Sequence, residues 1–334
     1  MTIDLYTSGL TPIIKIMVLY MIVAAVVVAA LVLIFKNRRK LNQCQRVLND
    51  NAVEINKLKN AISEQETAIA TESERCAKAI HENTSSIRYA KRIQSAAFPQ
   101  KEISSIFSDY FIFTKPHTIV TGDFYKSFEI ENYKIFALAD CSGHGVPGGF
   151  LTMLGLSALK ESLAKHFYDE NIDLAAILEE MRDFVKSSLR SNDDSVSTIN
   201  DGLNLTLCAF DNNGGGVRFA GANQNVYLYS NGTLTTYNGD RMPIGWSFKG
   251  DSPFSETFIP VKKGDMLYFT TDSLQNQFGG PENVKFSTKR LTAMFEQIGG
   301  MPIEEQKNTV SSIVNDWIEG YAQVDDLTLA GVRL

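Results

Sequence analysis

The chain has 334 residues, 44% hydrophobic and 21% charged, which is enough for one substantial core with accessory segments and excludes a low-complexity or disordered protein. A formal net charge of -6 argues against a nucleic-acid partner, because phosphate backbones select basic faces. Cys44, Cys76, Cys141 and Cys208 show no C-x-x-C spacing, so neither a cysteine zinc site nor a disulfide framework is expected, and reduced thiols in a reducing compartment are.

Residues 16–35 carry no charge and only Tyr20 as a polar interruption. At 1.5 Å per residue about 20 residues cross a hydrocarbon core, so this stretch predicts a transmembrane helix. Lys36-Asn37-Arg38-Arg39-Lys40 follows at once as a stop-transfer cluster, and Asp4 and Lys15 precede the apolar run. That pattern predicts a retained anchor rather than a cleaved signal peptide. The positive-inside rule then puts the basic cluster and everything after it in the cytoplasm. Residues 1–15 become a short extracytoplasmic stretch, too small to fold into a ligand-binding domain.

Residues 37–98 contain no proline and no glycine, and read as one long helix that stops near Pro99. Leu41, Leu48, Ile55, Ile62, Ile69 and Cys76 recur at a spacing of seven, the mark of a coiled-coil seam. A second seam at Cys44, Asn51, Leu58, Gln65 and Glu72 is mostly polar, and past Cys76 the apolar positions move to Ile80, Ile87 and Ile93. A parallel homodimer through this coil is expected, with a solvated single helix or a helical hairpin as the alternatives. His81-Glu82 is similar to the phospho-acceptor pair of histidine kinases, but no kinase-type ATP-binding segment follows, so His81 reads as an exposed helix residue.

From residue 100 to 334 the pattern changes to short β-branched and aromatic runs broken by turn residues, with helices between them. Residues 124–130 and 133–139 predict two strands joined at Glu131-Asn132, a hairpin that brings Asp123 and Asp140 to the same end of a sheet. Residues 148–165 and 172–189 have helical apolar spacing, and Gly148-Gly149 should let the first helix approach the sheet closely. Residues 203–210, 217–220, 226–229 and 234–237 read as a meander. Residues 266–271 predict a buried strand that delivers Asp272, residues 301–320 a helix after Pro302, and residues 327–334 a final strand behind Asp325-Asp326. The class is α+β with largely antiparallel strands.

Four acidic points therefore fall at strand or turn boundaries: Asp123, Asp140, Asp272 and Asp325-Asp326. Each alone is more often a turn or helix-cap residue than a ligand. If they converge, they cannot all stay ionised without cations, and a pair of hard divalent metals would satisfy them.

The ordered motifs Gly122-Asp123-Phe124-Tyr125, Ala139-Asp140-Cys141-Ser142-Gly143-His144-Gly145-Val146-Pro147-Gly148, Phe219-Ala220-Gly221-Ala222-Asn223, Met242-Pro243-Ile244-Gly245, Gly264 to Asp272 and Asp325-Asp326-Leu327-Thr328-Leu329 resemble the SpoIIE/RsbU-like branch of the metal-dependent, PPM-type serine/threonine protein phosphatases. Ile87 to Gln94 is also similar to the helix that enters the domain in bacterial members. The resemblance covers neither the anchor nor most of the coil. It implies an α-β-β-α sandwich with two Mn2+ or Mg2+ ions held by Asp123, Asp140, the backbone carbonyl of Cys141, Asp272 and Asp325. Asp140 would bridge the ions, and Asp326 would stand behind them. The nucleophile would be a metal-activated water, so no serine or cysteine nucleophile is needed. His144 would either protonate the leaving seryl or threonyl oxygen or order the glycine loop. The implied substrate is a phosphorylated cytoplasmic protein such as an anti-sigma-factor antagonist-like domain, and the implied location is the bacterial inner membrane.

One position departs from the family pattern, which has Thr-Asp-Gly where this chain has Thr271-Asp272-Ser273. If a positive φ is required there, serine costs about 1 kcal/mol. A pseudophosphatase acting as a binding module is therefore the alternative to an active enzyme.

Overall fold

The computed structural model describes residues 12–98, 101–168, 170–189, 201–247 and 250–334, and divides into a unit of residues 1–81 and a second unit of residues 82–334. Helix α1 (Pro12–Ala97) supplies the described part of the first unit. Its N-terminal portion is long and apolar enough to cross a membrane. The seam residues Leu41, Leu48, Ile55, Ile62 and Ile69 are all exposed on this helix. Residues 1–11 and Pro99, the expected helix stop, lie outside the described residues.

In the second unit the order is α2 (Lys101–Ile106), β1 (Tyr110–Lys115), β2 (Asp123–Ile130), β3 (Tyr133–Cys141), α3 (Gly145–Lys165), α4 (Leu174–Ser188), β4 (Gly202–Asp211), β5 (Val217–Ala222), β6 (Val226–Ser230) and β7 (Thr233–Tyr237). Then come β8 (Ile244–Gly245), β9 (Thr257–Ile259), β10 (Met266–Thr270), α5 (Ser273–Asn276), β11 (Phe278–Gly279), β12 (Val284–Lys285), α6 (Ser287–Ile298), α7 (Ile303–Ile318) and β13 (Leu327–Arg333). One sheet runs β1-β13-β10-β6-β7. The other runs β2-β3-β4-β5-β9, with β8 against β4, and β11 and β12 form a separate hairpin.

Side-chain alternation with period two sorts the strands into layers. On β3, Ile135, Ala137 and Ala139 face a core shared with Leu159 and Leu163 of α3 and with Ile177 and Met181 of α4. Phe136 and Leu138 point the other way, into a core with Leu267 and Phe269 of β10 and Val332 of β13. The opposite face of β10, Met266 and Tyr268, packs on Phe295 of α6 and Val310 of α7. Helices therefore cover both outer faces of two stacked antiparallel sheets, the expected α-β-β-α sandwich.

One expectation needs correction. Residues 203–237 are not one meander, because β4 and β5 lie in one sheet and β6 and β7 in the other. The crossing is made at Gly221 to Asn225, where a Cβ on Gly221 would meet the Gly239 Cα at 3.0 Å and Asn223 takes a φ of 54°, a left-handed turn that asparagine tolerates. Strand β1 and helices α2 and α6 carried no sequence expectation, and β1 pairs along its whole length with β13, the last strand of the chain.

Candidate metal centre and phosphatase site

The first wall of the site is local in sequence. In the β2–β3 hairpin Asp123 stands directly opposite Asp140, so both carboxylates fall on one face at the end of the sheet. Loop closure behind them depends on glycine. A Cβ on Gly122 would lie 2.5 Å from the Gly143 carbonyl oxygen, and one on Gly148 would collide with the same oxygen and approach the Gly122 Cα at 3.0 Å. Gly143 has φ of +79° and Gly145 of +69°, conformations open to glycine. The Cys141 N–H donates to the Gly122 carbonyl at 3.0 Å, and the Ser142 N–H to that of Gly202 at 2.9 Å.

The second wall comes from distant segments. Strand β10 ends at Thr270, and Asp272 follows at the start of α5. Thr271 ties this wall to the first: its N–H donates to the Thr328 carbonyl at 3.1 Å, and its hydroxyl to Asp123 Oδ2 at 3.3 Å. Asp325 is half-buried, and its Oδ1 accepts the Asp326 N–H at 2.8 Å. Asp326 is buried, and its two oxygens accept the N–H groups of His117 and Gly122, both at 2.7 Å. The Asp326 carboxylate therefore braces the loop in front of Asp123.

Burial, then the facing charge of Asp140, holds the Asp123 carboxyl well above the usual carboxylate range. Burial, then the charge of Asp272, does the same to Asp140. Asp272, nearer solvent, is raised by partial desolvation and then by the charge of Asp325. Among the described residues no three His, Cys, Asp or Glu groups close to the spacing of a metal's ligand sphere. The donor set still fits hard divalent cations: it is all oxygen, concentrated at one end of the sandwich, and destabilised in its ionised form by burial and mutual repulsion.

Burial pushes the Cys141 thiol well up, and the charges of Asp140 and Asp123 push it further. A thiolate nucleophile is disfavoured there, so only the Cys141 carbonyl is a candidate for the site. His144 is exposed, sits at the N-cap of α3 and makes no side-chain cap hydrogen bond. Its ring packs on that of His117, with centroids 4.5 Å apart. No sequence motif pointed to His117, because its approach to His144 is set by the bond from its backbone to Asp326, 209 residues away. Ser273 is buried in the first turn of α5 and is not among the residues with positive φ. The strain anticipated for serine at this position is absent.

Gln94, near the end of α1, is buried within the second unit. Its amide donates to the Thr121 carbonyl at 2.7 Å and to the Thr152 hydroxyl at 3.1 Å, and its Oε1 accepts the Thr121 N–H at 3.2 Å. Thr121 immediately precedes Gly122-Asp123, so the segment similar to the family's entry helix reaches the loop of the first wall.

The family model described as Stage II sporulation protein E (SpoIIE) matches residues 131–334. Among solved structures, the SiaA-PP2C domain of Pseudomonas aeruginosa is 28% identical and superposes with a TM-score of 0.68, covering 77% of this chain and 98% of that one. Two others share the fold at lower identity. The PP2C phosphatase domain with a regulatory fragment of SpoIIE from Bacillus subtilis is 18% identical, with TM-score 0.54 and coverage of 68% and 63%. The RsbU and RsbW domains of Rv1364c from Mycobacterium tuberculosis are 17% identical, with TM-score 0.51 and coverage of 68% and 60%. No curated protein sequence matches the chain.

Proposed function

The chain belongs to the SpoIIE family of PPM-type phosphatase domains, and on that premise we propose that it is a membrane-anchored serine/threonine protein phosphatase. The observation that carries this reading is the facing of Asp123 and Asp140 across the hairpin, with Thr271, the neighbour of Asp272, donating its hydroxyl to Asp123. Asp123, Asp140, the Cys141 carbonyl, Asp272 and Asp325 hold two divalent cations, Mn2+ or Mg2+. Bound there, such a pair supplies a water acidic enough to attack phosphorus near neutral pH and stabilises charge on the phosphoryl oxygens. His144 is the proton donor to the leaving seryl or threonyl oxygen, which its exposure and lack of a capping bond support. Thr271 and Asp326 position the acids.

The organisation goes with this reading. Residues 1–15 are extracytoplasmic, 16–35 cross the bacterial inner membrane, 37–98 form the helix of a parallel homodimer, and 100–334 act in the cytoplasm. The exposed seam from Leu41 to Ile69 supports the dimer. The substrate is a phosphorylated cytoplasmic regulatory protein of the anti-sigma-factor-antagonist kind, as the resemblance implies.

The test uses the full-length chain in detergent micelles with Mn2+ and a phosphoserine peptide. Turnover is expected in the wild type, and Asp140→Asn should lower it by about 10³-fold, the scale of removing a preorganised electrostatic element. Activity that survives this change sinks the assignment.

A further inference from the structure

A phosphoserine side chain carries close to two negative charges, and the site it must enter is lined with carboxylates. Even with cations bound, the substrate needs a donor that recognises phosphoryl oxygens without being drained by the acids. Resting on the phosphatase reading above, we infer that the Lys285 ammonium, presented by the β11–β12 hairpin beside Asp272, anchors the phosphoryl oxygens of the substrate.

The placement is geometric. Lys285 Nζ donates to Asn276 Oδ1 at 3.1 Å. Asn276 in turn donates to the Asp272 carbonyl from its side-chain Nδ2 at 3.2 Å and from its backbone N–H at 3.2 Å. One turn of α5 therefore separates the ammonium from the acid. Lys285 stands close enough to Asp272 for their charges to interact. An ammonium has three N–H donors. Among the described residues that of Lys285 has one acceptor, Asn276, which leaves two for a ligand.

The hairpin is a fixed platform. Phe286, next to Lys285, is buried, and its N–H donates to the Gln277 carbonyl at 2.9 Å. The Gly280 N–H donates to the Trp317 carbonyl at 2.9 Å, and the Tyr321 hydroxyl to the Gly280 carbonyl at 2.8 Å. Phe278 stands exposed on the same hairpin with its ring centroid 5.9 Å from Lys285 Nζ, an apolar contact for the residue beside the phosphoserine. Lys91, whose charge also acts on the acid cluster through Asp326, is directed to Gln94 Oε1 at 3.3 Å. Lys285 instead meets a ligand from the solvent side.

The experiment compares wild type, Lys285→Met, Lys285→Arg and Lys289→Met as full-length chains at saturating Mn2+. With phosphoserine peptide and with p-nitrophenyl phosphate, Lys285→Met should raise KM about tenfold, and the inhibition constant of inorganic phosphate by the same factor. Its kcat should stay within about threefold and its Mn2+ affinity by calorimetry should be unchanged. Lys285→Arg should recover most of the loss, and Lys289→Met, on the exposed face of α6, should behave as wild type. Unchanged KM and phosphate inhibition in Lys285→Met overturn the inference. So does a KM shift that disappears as Mn2+ is raised, because Lys285 would then be tuning metal binding. If the wild type itself shows no turnover, the phosphatase reading fails, and calorimetry of inorganic phosphate with the Mn2+-loaded wild type and Lys285→Met still decides whether Lys285 binds the anion.

Discussion

The two walls of the acidic site differ in how far apart in sequence their parts lie. Asp123 and Asp140 are brought together by a hairpin whose strands are joined at residues 131–132, so their register follows from local pairing. Asp272 and Asp325 meet only when β10 pairs with β13 and when the buried Gln277 amide spans a gap of 45 to 47 residues. Gln277 Nε2 donates to the carbonyls of Phe278 at 2.8 Å and Ala322 at 3.0 Å, and its Oε1 accepts the Val324 N–H at 3.0 Å. One wall is thus a matter of turn geometry and glycine clearance, and the other of a few buried polar contacts made over long range.

That contrast predicts two kinds of damage. The largest effect is expected in the glycine-cleared wall. Gly122→Ala drives a Cβ to within 2.5 Å of the Gly143 carbonyl oxygen, and backbone stands on both sides, so neither can yield cheaply. Mn2+-dependent turnover should fall about 100-fold and stability by roughly 2–4 kcal/mol, read from a denaturant titration. Wild-type turnover in this variant would mean that the loop is looser than the contact implies. Gln277→Leu should be milder and of another kind. It takes the partner from the part-buried Val324 N–H and Ala322 carbonyl, at about 1–2 kcal/mol, and frees the segment that leads to Asp325. Calorimetry with Mn2+ should then show one weakened site and one near wild type, because the hairpin wall is untouched. Loss of both sites together would remove the distinction between the walls.

The same contrast explains what could be read without coordinates. The hairpin, the apolar alternation of β3 and the strand that delivers Asp272 follow from local periodicity and turn residues, and the sequence intervals match the observed strands closely. The sheet switch between β5 and β6 was not legible, because period-two alternation marks a strand and says nothing of its partner. The resemblance set Asp326 behind the ligands, but its partners, the backbone N–H groups of His117 and Gly122 more than 200 residues away, were not legible. Asp325 and Asp326 are the same residue type side by side, and the fold leaves the first half-buried and makes the second a buried brace. His117 and Lys285 were missed for the same reason, since neither lies in an acidic motif.

Charge acts most strongly where the first wall is most buried. The Asp123 and Asp140 carboxyls are raised above their unfolded values, so without metal the folded state holds protons that the unfolded chain has released. By linkage, metal-free stability falls as pH rises from about 4 through the raised folded pKa values. In the presence of a chelator, Asp140→Asn should therefore raise Tm at pH 7, with the gain shrinking toward pH 4, below which the unfolded chain is protonated as well. In saturating Mn2+ the order should reverse, because the variant forfeits ligand-linked stabilisation. If Asp140→Asn lowers Tm in chelator at pH 7, the carboxylates are not the electrostatic burden that their burial implies.

The smallest effect is expected at Ser273, in the long-range wall. Its backbone lies in the first turn of α5 and outside the positive-φ region, so glycine brings no relief of strain. Ser273→Gly should instead lower stability by less than about 1 kcal/mol, through the greater freedom of glycine in the unfolded chain. Mn2+ affinity and kcat should stay within about twofold, because the Asp272 carbonyl is still held by Asn276. A rise in turnover well beyond that range would show that the serine strains the loop during the reaction, and that the second metal site is the weaker half of the centre.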